Sequence, residues 1–115
     1  LYRDPRELAR TISEYEREGR ELLERIARAC ASGSHAAFCD AVHAFKGNAA
    51  NVGASRLIQL CREAEAAGIV EFLRGRDQVL ATLHQSFDDT LRALRAMVTV
   101  VAAGNHDSPQ PGSLG

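Results

Sequence analysis

His43, Lys46 and Gly47 stand where a helix would put an imidazole, an ammonium and a bare stretch of backbone on one face. At about 100° per residue, Lys46, Gly47 and Ala50 fall within roughly 60° of His43, while Phe38, Ala41, Phe45, Ala49 and Val52 point the other way. One face is core-like. The other holds a nucleophile among residues with almost no side chain: Ala36, Gly47 and Ala50. A glycine inside a helix costs about 0.5–1 kcal/mol relative to alanine, so Gly47 does not serve helix stability and instead leaves room beside His43. A neutral, exposed imidazole is a good nucleophile toward phosphorus, and a lysine one turn on can hold phosphoryl oxygens. The bald surface would let a second protein bring its own reactive group close.

A histidine alone in a helix is usually an ordinary surface or satisfied core residue; the conjunction with Lys46, Gly47 and Gly53 at fixed spacing gives this one its weight. His35, Cys39 and His43 recur at i, i+4 and i+8, which raises metal binding as an alternative. Helical drift separates the outer pair by about 80°, and His84 is the only candidate for a further ligand. No metal site is expected, and His35 reads as a polar residue near a helix start.

The same residues resemble the histidine-containing phosphotransfer (HPt) domain family. Its pattern His-x-x-Lys-Gly-x-[small]-x-x-[aliphatic]-Gly-[small] is met by His43, Lys46, Gly47, Ala49, Val52, Gly53 and Ala54. Position 49 is often serine in the family; Ala49 here touches packing more than chemistry. The resemblance implies a phosphorelay intermediate: His43 takes a phosphoryl group from the aspartyl phosphate of a receiver domain and passes it to another. Lys46 would stabilise the phosphoryl group, and Arg56 would be a second counter-ion. Ala36, Cys39, Gly47, Ala50 and Arg56 would meet the partner. The expected partners are response-regulator receivers, in the same chain or separate. They would supply Mg²⁺, the chain having no cofactor of its own.

Sensor kinases also phosphorylate a histidine on a helical bundle. Their phrase carries an acidic residue directly after it and a proline five residues on, where this chain has Ala44 and Asn48. Glycine-rich ATP loops are absent too, so the chain is not a complete kinase. Its start at Leu1 within a charged phrase suggests the C-terminal HPt domain of a hybrid sensor kinase, whose parent can be membrane-anchored; overall it is similar to sensors of a diffusible fatty-acid signal. The competing reading is a helical docking module for a receiver or enzyme that takes no phosphate.

Composition agrees with a relay. Fourteen basic residues against fifteen acidic ones leave a net charge of −1, without the basic field that nucleic-acid binding uses. Aromatic residues make up 5% and Trp is absent, which also argues against base stacking. No apolar run reaches the roughly 18 residues a bilayer requires; a cytoplasmic location without direct membrane contact is expected. Cys30, Cys39 and Cys61 lack Cys-x-x-Cys spacing and read as buried free thiols.

The elements that must position the site are all helical. Asp4 and Pro5 start a first helix whose inward positions Leu8, Ile12, Tyr15, Gly19, Leu22 and Ile26 recur at three or four to about Ala29. Gly19 weakens its middle enough for a break. Gly33 and Ser34 turn the chain into a second helix, about His35–Asn51. A third ends near Ala67 before Gly68. Residues 69–74 read as one loose turn before Gly75, and a long fourth helix runs from Asp77 through Val101. No period-two run marks a strand. The fold class is all-α: an antiparallel up-down four-helix bundle with an N-terminal helical extension over residues 1–103. Residues 104–115 are expected to be a disordered C-terminal tail.

Overall fold

Short connections decide the architecture. The computed structural model describes residues 4–107, with α1 at Pro5–Ser32, α2 at His35–Ala50, α3 at Ser55–Ala66 and α4 at Ile69–Asp107. Two residues join α1 to α2, four join α2 to α3, and two join α3 to α4. Each helix therefore runs antiparallel to the one before it. With α1 against α2 and α4, and α3 against the same two, the square closes as an up-down four-helix bundle. There is no strand among the described residues.

Local chemistry sets the ends. Asp4 accepts a hydrogen bond from the Arg6 N–H at 2.9 Å, and Pro5 opens α1 without needing an N–H partner. Ser34 caps α2 by accepting from the Ala37 N–H at 3.2 Å. Gly33 and Gly53 take left-handed φ values of 70° and 66°. Behind each, two amides fold back on the last turn: Ser34 N–H to Ala29 O and Gly33 N–H to Cys30 O; Ala54 N–H to Ala49 O and Gly53 N–H to Ala50 O. A Cβ on Gly53 would meet nothing within 4 Å, so Gly53→Ala isolates the backbone cost. Equilibrium urea unfolding of that variant is expected to show about 1–2 kcal/mol of lost stability at an unchanged m value.

Inside, Leu8, Ile12, Tyr15 and Ile26 of α1 meet Phe38, Val42 and Phe45 of α2, Leu57 and Cys61 of α3, and Phe72, Leu83 and Phe87 of α4. Burying each such side chain stabilises by about 1.5–3 kcal/mol. Among the described residues, Asn48 is a buried polar side chain, 3% exposed, whose Nδ2 donates to Tyr15 O at 3.1 Å.

Two details depart from the sequence reading, residues 69–74 and the end of α4, and the question left open at Gly19 is settled. Gly19 does not break α1, because Phe87 and Asn48 pack directly onto it. Residues 69–74 are the first turns of a continuous α4 rather than a separate turn. Phe72 is wedged against Phe38 and His35, and Arg76 donates to Cys30 O at 3.0 Å, while Cys30 Sγ lies 3.7 Å from Arg76 O. Those contacts outweigh the roughly 1 kcal/mol that Gly75 costs the helix. The N-terminal extension is continuous with α1, where Leu8 and Ile12 share an apolar cleft with Val52, Leu94 and Met97. Finally, α4 continues to Asp107, so the expected tail is helical over 104–107; residues 108–115 lie outside the described ones.

Candidate functional site

The Asn51–Ala54 turn sets the register of α3 on α2, and that register brings Glu65 beside His43. His43 Nδ1 lies 3.1 Å from Glu65 Oε2, and Lys46 Nζ lies 2.6 Å from Oε1. The ammonium approaches Oε1 as an ion pair, off the line of a good hydrogen bond. The His43 side chain is 72% exposed, whereas Lys46 and Glu65 are 26% and 23% exposed. Partial burial pushes the Glu65 carboxyl up, but the contacts from Lys46 and His43 outweigh it and hold the group below the ordinary glutamate value of 4.5.

A carboxylate only accepts, so the ring nitrogen facing it carries the proton. In the neutral ring, Nδ1–H then points into Glu65 and the Nε2 lone pair faces away from it. The exposed imidazole is thus oriented, and its neutral form is held in one tautomer. That is an orienting group behind a nucleophile. Charge developing on the ring during attack at Nε2 would fall next to Glu65.

The surface around His43 is as bare as the sequence implied. Ala36, Gly47 and Ala50 are exposed on the same face of α2, and Cys39 is half-buried at its edge. A Cβ on Gly47 would meet nothing within 4 Å. Cys30 and Cys61 are buried free thiols; Cys39, also free, is not fully buried. Burial pushes all three thiols up, Cys61 to about 12.

Lys46 stands beside His43 on the same carboxylate, its ammonium paired with Glu65. One expected placement differs. Arg56 is not brought to His43. It stands nine residues before Glu65, about 13 Å along α3 and on the opposite side of that helix, where it lines an α3–α4 groove with Gln78, Thr82 and Asp89. His35 turns inward, its Nε2 3.1 Å from Ala67 O and 3.5 Å from Cys39 Sγ, with its ring against Phe72. His84 pairs with Asp88 on α4. Among the described residues no three His, Cys, Asp or Glu side chains converge as a metal site would require.

Glu65 was the residue missed from sequence. Its signal was an acidic side chain at the edge of the Leu57–Cys61–Ala64 apolar stripe, which a partner helix carrying His43 and Lys46 could satisfy. A family model for the Hpt domain matches residues 10–104. No curated protein and no solved structure matches the chain.

Proposed function

The chain belongs to the Hpt domain family, whose role is histidine phosphotransfer in two-component phosphorelays, and from that premise we propose that His43 is its phosphoacceptor. The observation that carries the proposal is the His43–Glu65 hydrogen bond at 3.1 Å on an otherwise bare, exposed helix face. The Nε2 lone pair attacks the phosphorus of a receiver's aspartyl phosphate. As the N–P bond forms, the acyl phosphate P–O bond breaks, and its electron pair leaves on the receiver's carboxylate. The ring, still protonated at Nδ1, becomes a phosphoimidazolium whose charge Glu65 stabilises. The reverse step hands the group to a second receiver.

Catalysis here consists of orientation and electrostatics. Lys46 keeps Glu65 ionised and in place. Ala36, Cys39, Gly47 and Ala50 form the surface on which a receiver docks, over an area at the transient end of interface sizes, below about 1,200 Å². The receiver brings the Mg²⁺ that neutralises the transferring oxygens. A cytoplasmic setting goes with such partners; no helix among the described residues is long and apolar enough to cross a membrane.

Incubation with a phosphorylated receiver and Mg²⁺ should place an acid-labile, base-stable label on the native chain. Glu65→Ala should slow that transfer roughly tenfold or more, since a hydrogen bond to a charged group contributes about 1.5–3 kcal/mol. Glu65→Gln, which keeps an acceptor for Nδ1–H but not the charge, should fall between. Equal rates in all three proteins would remove Glu65 from the mechanism. Because its folded pKa lies below the ordinary value, the stabilisation from Glu65 is complete above about 4.5 and is lost only as pH falls through the lower folded value. Any rate change between pH 6 and 8 would therefore not report on Glu65.

A further inference from the structure

Docking a receiver over His43 buries whatever stands beside it, and on α2 that includes an open charge. The acidic and basic residues of α2 are Asp40 and Lys46, and Lys46 is neutralised by Glu65 at the α3 edge. Asp40 stands one turn before His43, about 4.5 Å along the helix and about 60° round toward α1, on the side where Gly47 is bare. It is exposed and makes no ion pair or side-chain hydrogen bond among the described residues. Arg25 and Arg28 of α1 line the same α1–α2 cleft, yet neither closes on it, and Arg28 is turned to Glu24 at 4.0 Å.

An interface below about 1,200 Å² puts about 600 Å² on each partner, a patch of about 14 Å radius. Chemistry fixes its centre, because the phosphorus in transfer must lie between His43 Nε2 and the receiver's aspartate. Asp40 therefore falls well inside the patch rather than on its rim, and docking strips water from its carboxylate whichever receiver arrives. A carboxylate desolvated without a partner is strongly unfavourable, and one that meets a cation recovers that loss.

We infer that Asp40 is the residue by which this face selects its receiver: it fits one with an exposed lysine or arginine beside the phosphorylatable aspartate and rejects one with an acidic residue there, an inference that rests on His43 being the acceptor. Selection of this kind works through the cost imposed on the wrong partner as much as through attraction to the right one. Asp40 holds no reacting atom, so it acts on docking, through KM, and a small phosphoryl donor that docks on no surface does not need it.

The test charges the full native chain, Asp40→Asn and Asp40→Lys with phosphoramidate, removes the reagent, and follows transfer in Mg²⁺ to purified receiver domains chosen to carry either a basic or an acidic residue beside that aspartate. All three chains should take the label from phosphoramidate at similar rates. The native chain should favour the basic receivers by about tenfold or more in kcat/KM. Asp40→Asn should lose most of that preference, and Asp40→Lys should reverse it. The native preference should weaken as salt rises. A preference unchanged in both variants would overturn the inference, and so would an equal loss of transfer to every receiver, which would make Asp40 a general support of the face. A native chain that takes no label on His43 would instead remove the reading on which the inference stands.

Discussion

His43→Gln keeps the folded bundle and takes no label from a phosphorylated receiver. Glutamine has no nucleophilic nitrogen, since its amide lone pair is delocalised, yet its side chain can still hydrogen-bond Glu65. The native side chain is 72% exposed, so the substitution removes little packing and should change stability by no more than about 0.5 kcal/mol. Loss of labelling at an unchanged melting temperature therefore isolates chemistry from folding. His35 cannot substitute, because its ring is packed against Phe72 with Nε2 on Ala67 O. His84 is exposed, paired to Asp88 on α4. Full labelling of His43→Gln would move the acceptor elsewhere, with His84 the first alternative.

Gly19→Ala should be the most damaging single methyl in the chain. A Cβ there would lie 2.1 Å from Phe87 Cε1 and 2.7 Å from its Cζ, with Asn48 Nδ2 at 3.0 Å. The Phe87 ring cannot simply swing away. It stacks on Tyr15 with centroids 4.8 Å apart, packs on Phe45 at 5.8 Å, and lies under the Arg20 guanidinium at 5.0 Å. Asn48 is held by its bond to Tyr15 O. Relief thus requires α1 and α4 to separate, at a cost of about 3 kcal/mol and roughly 10–20 °C in melting temperature. Adding Phe87→Leu to Gly19→Ala should cost less than the two substitutions summed, because the smaller side chain makes room for the methyl. If Gly19→Ala alone melts within a degree or two of the native protein, the helices spread freely and this close approach does not hold them.

The amino-acid sequence by itself determined the helical class, the turns that open α1 and join α2 to its neighbours, and the reactive face. Those features are local: apolar spacing of three and four, Asp4 and Ser34 as caps, and Gly33 and Gly53 at left-handed stops. One helix of known pitch also suffices to put His43 on a face with Ala36, Gly47 and Ala50, opposite Phe38 and Phe45. What depended on two helices at once was not legible. Gly19 looked like a weak point because the sequence showed its helix cost and not the Phe87 ring, 68 residues on, that occupies its space. Gly75 looked like a boundary for the same reason, before Phe72 and Arg76 were seen anchoring the segments on either side of it. Arg56 and Glu65 are the sharpest case. Both are charges on α3, and only the register and rotation of α3 on α2 decided which of them reaches His43. A shift of one residue turns a helix by about 100° and replaces the neighbour on every facing position. That rotation is fixed by how Leu57, Cys61 and Ala64 seat in the core, which tertiary packing decides and local sequence does not.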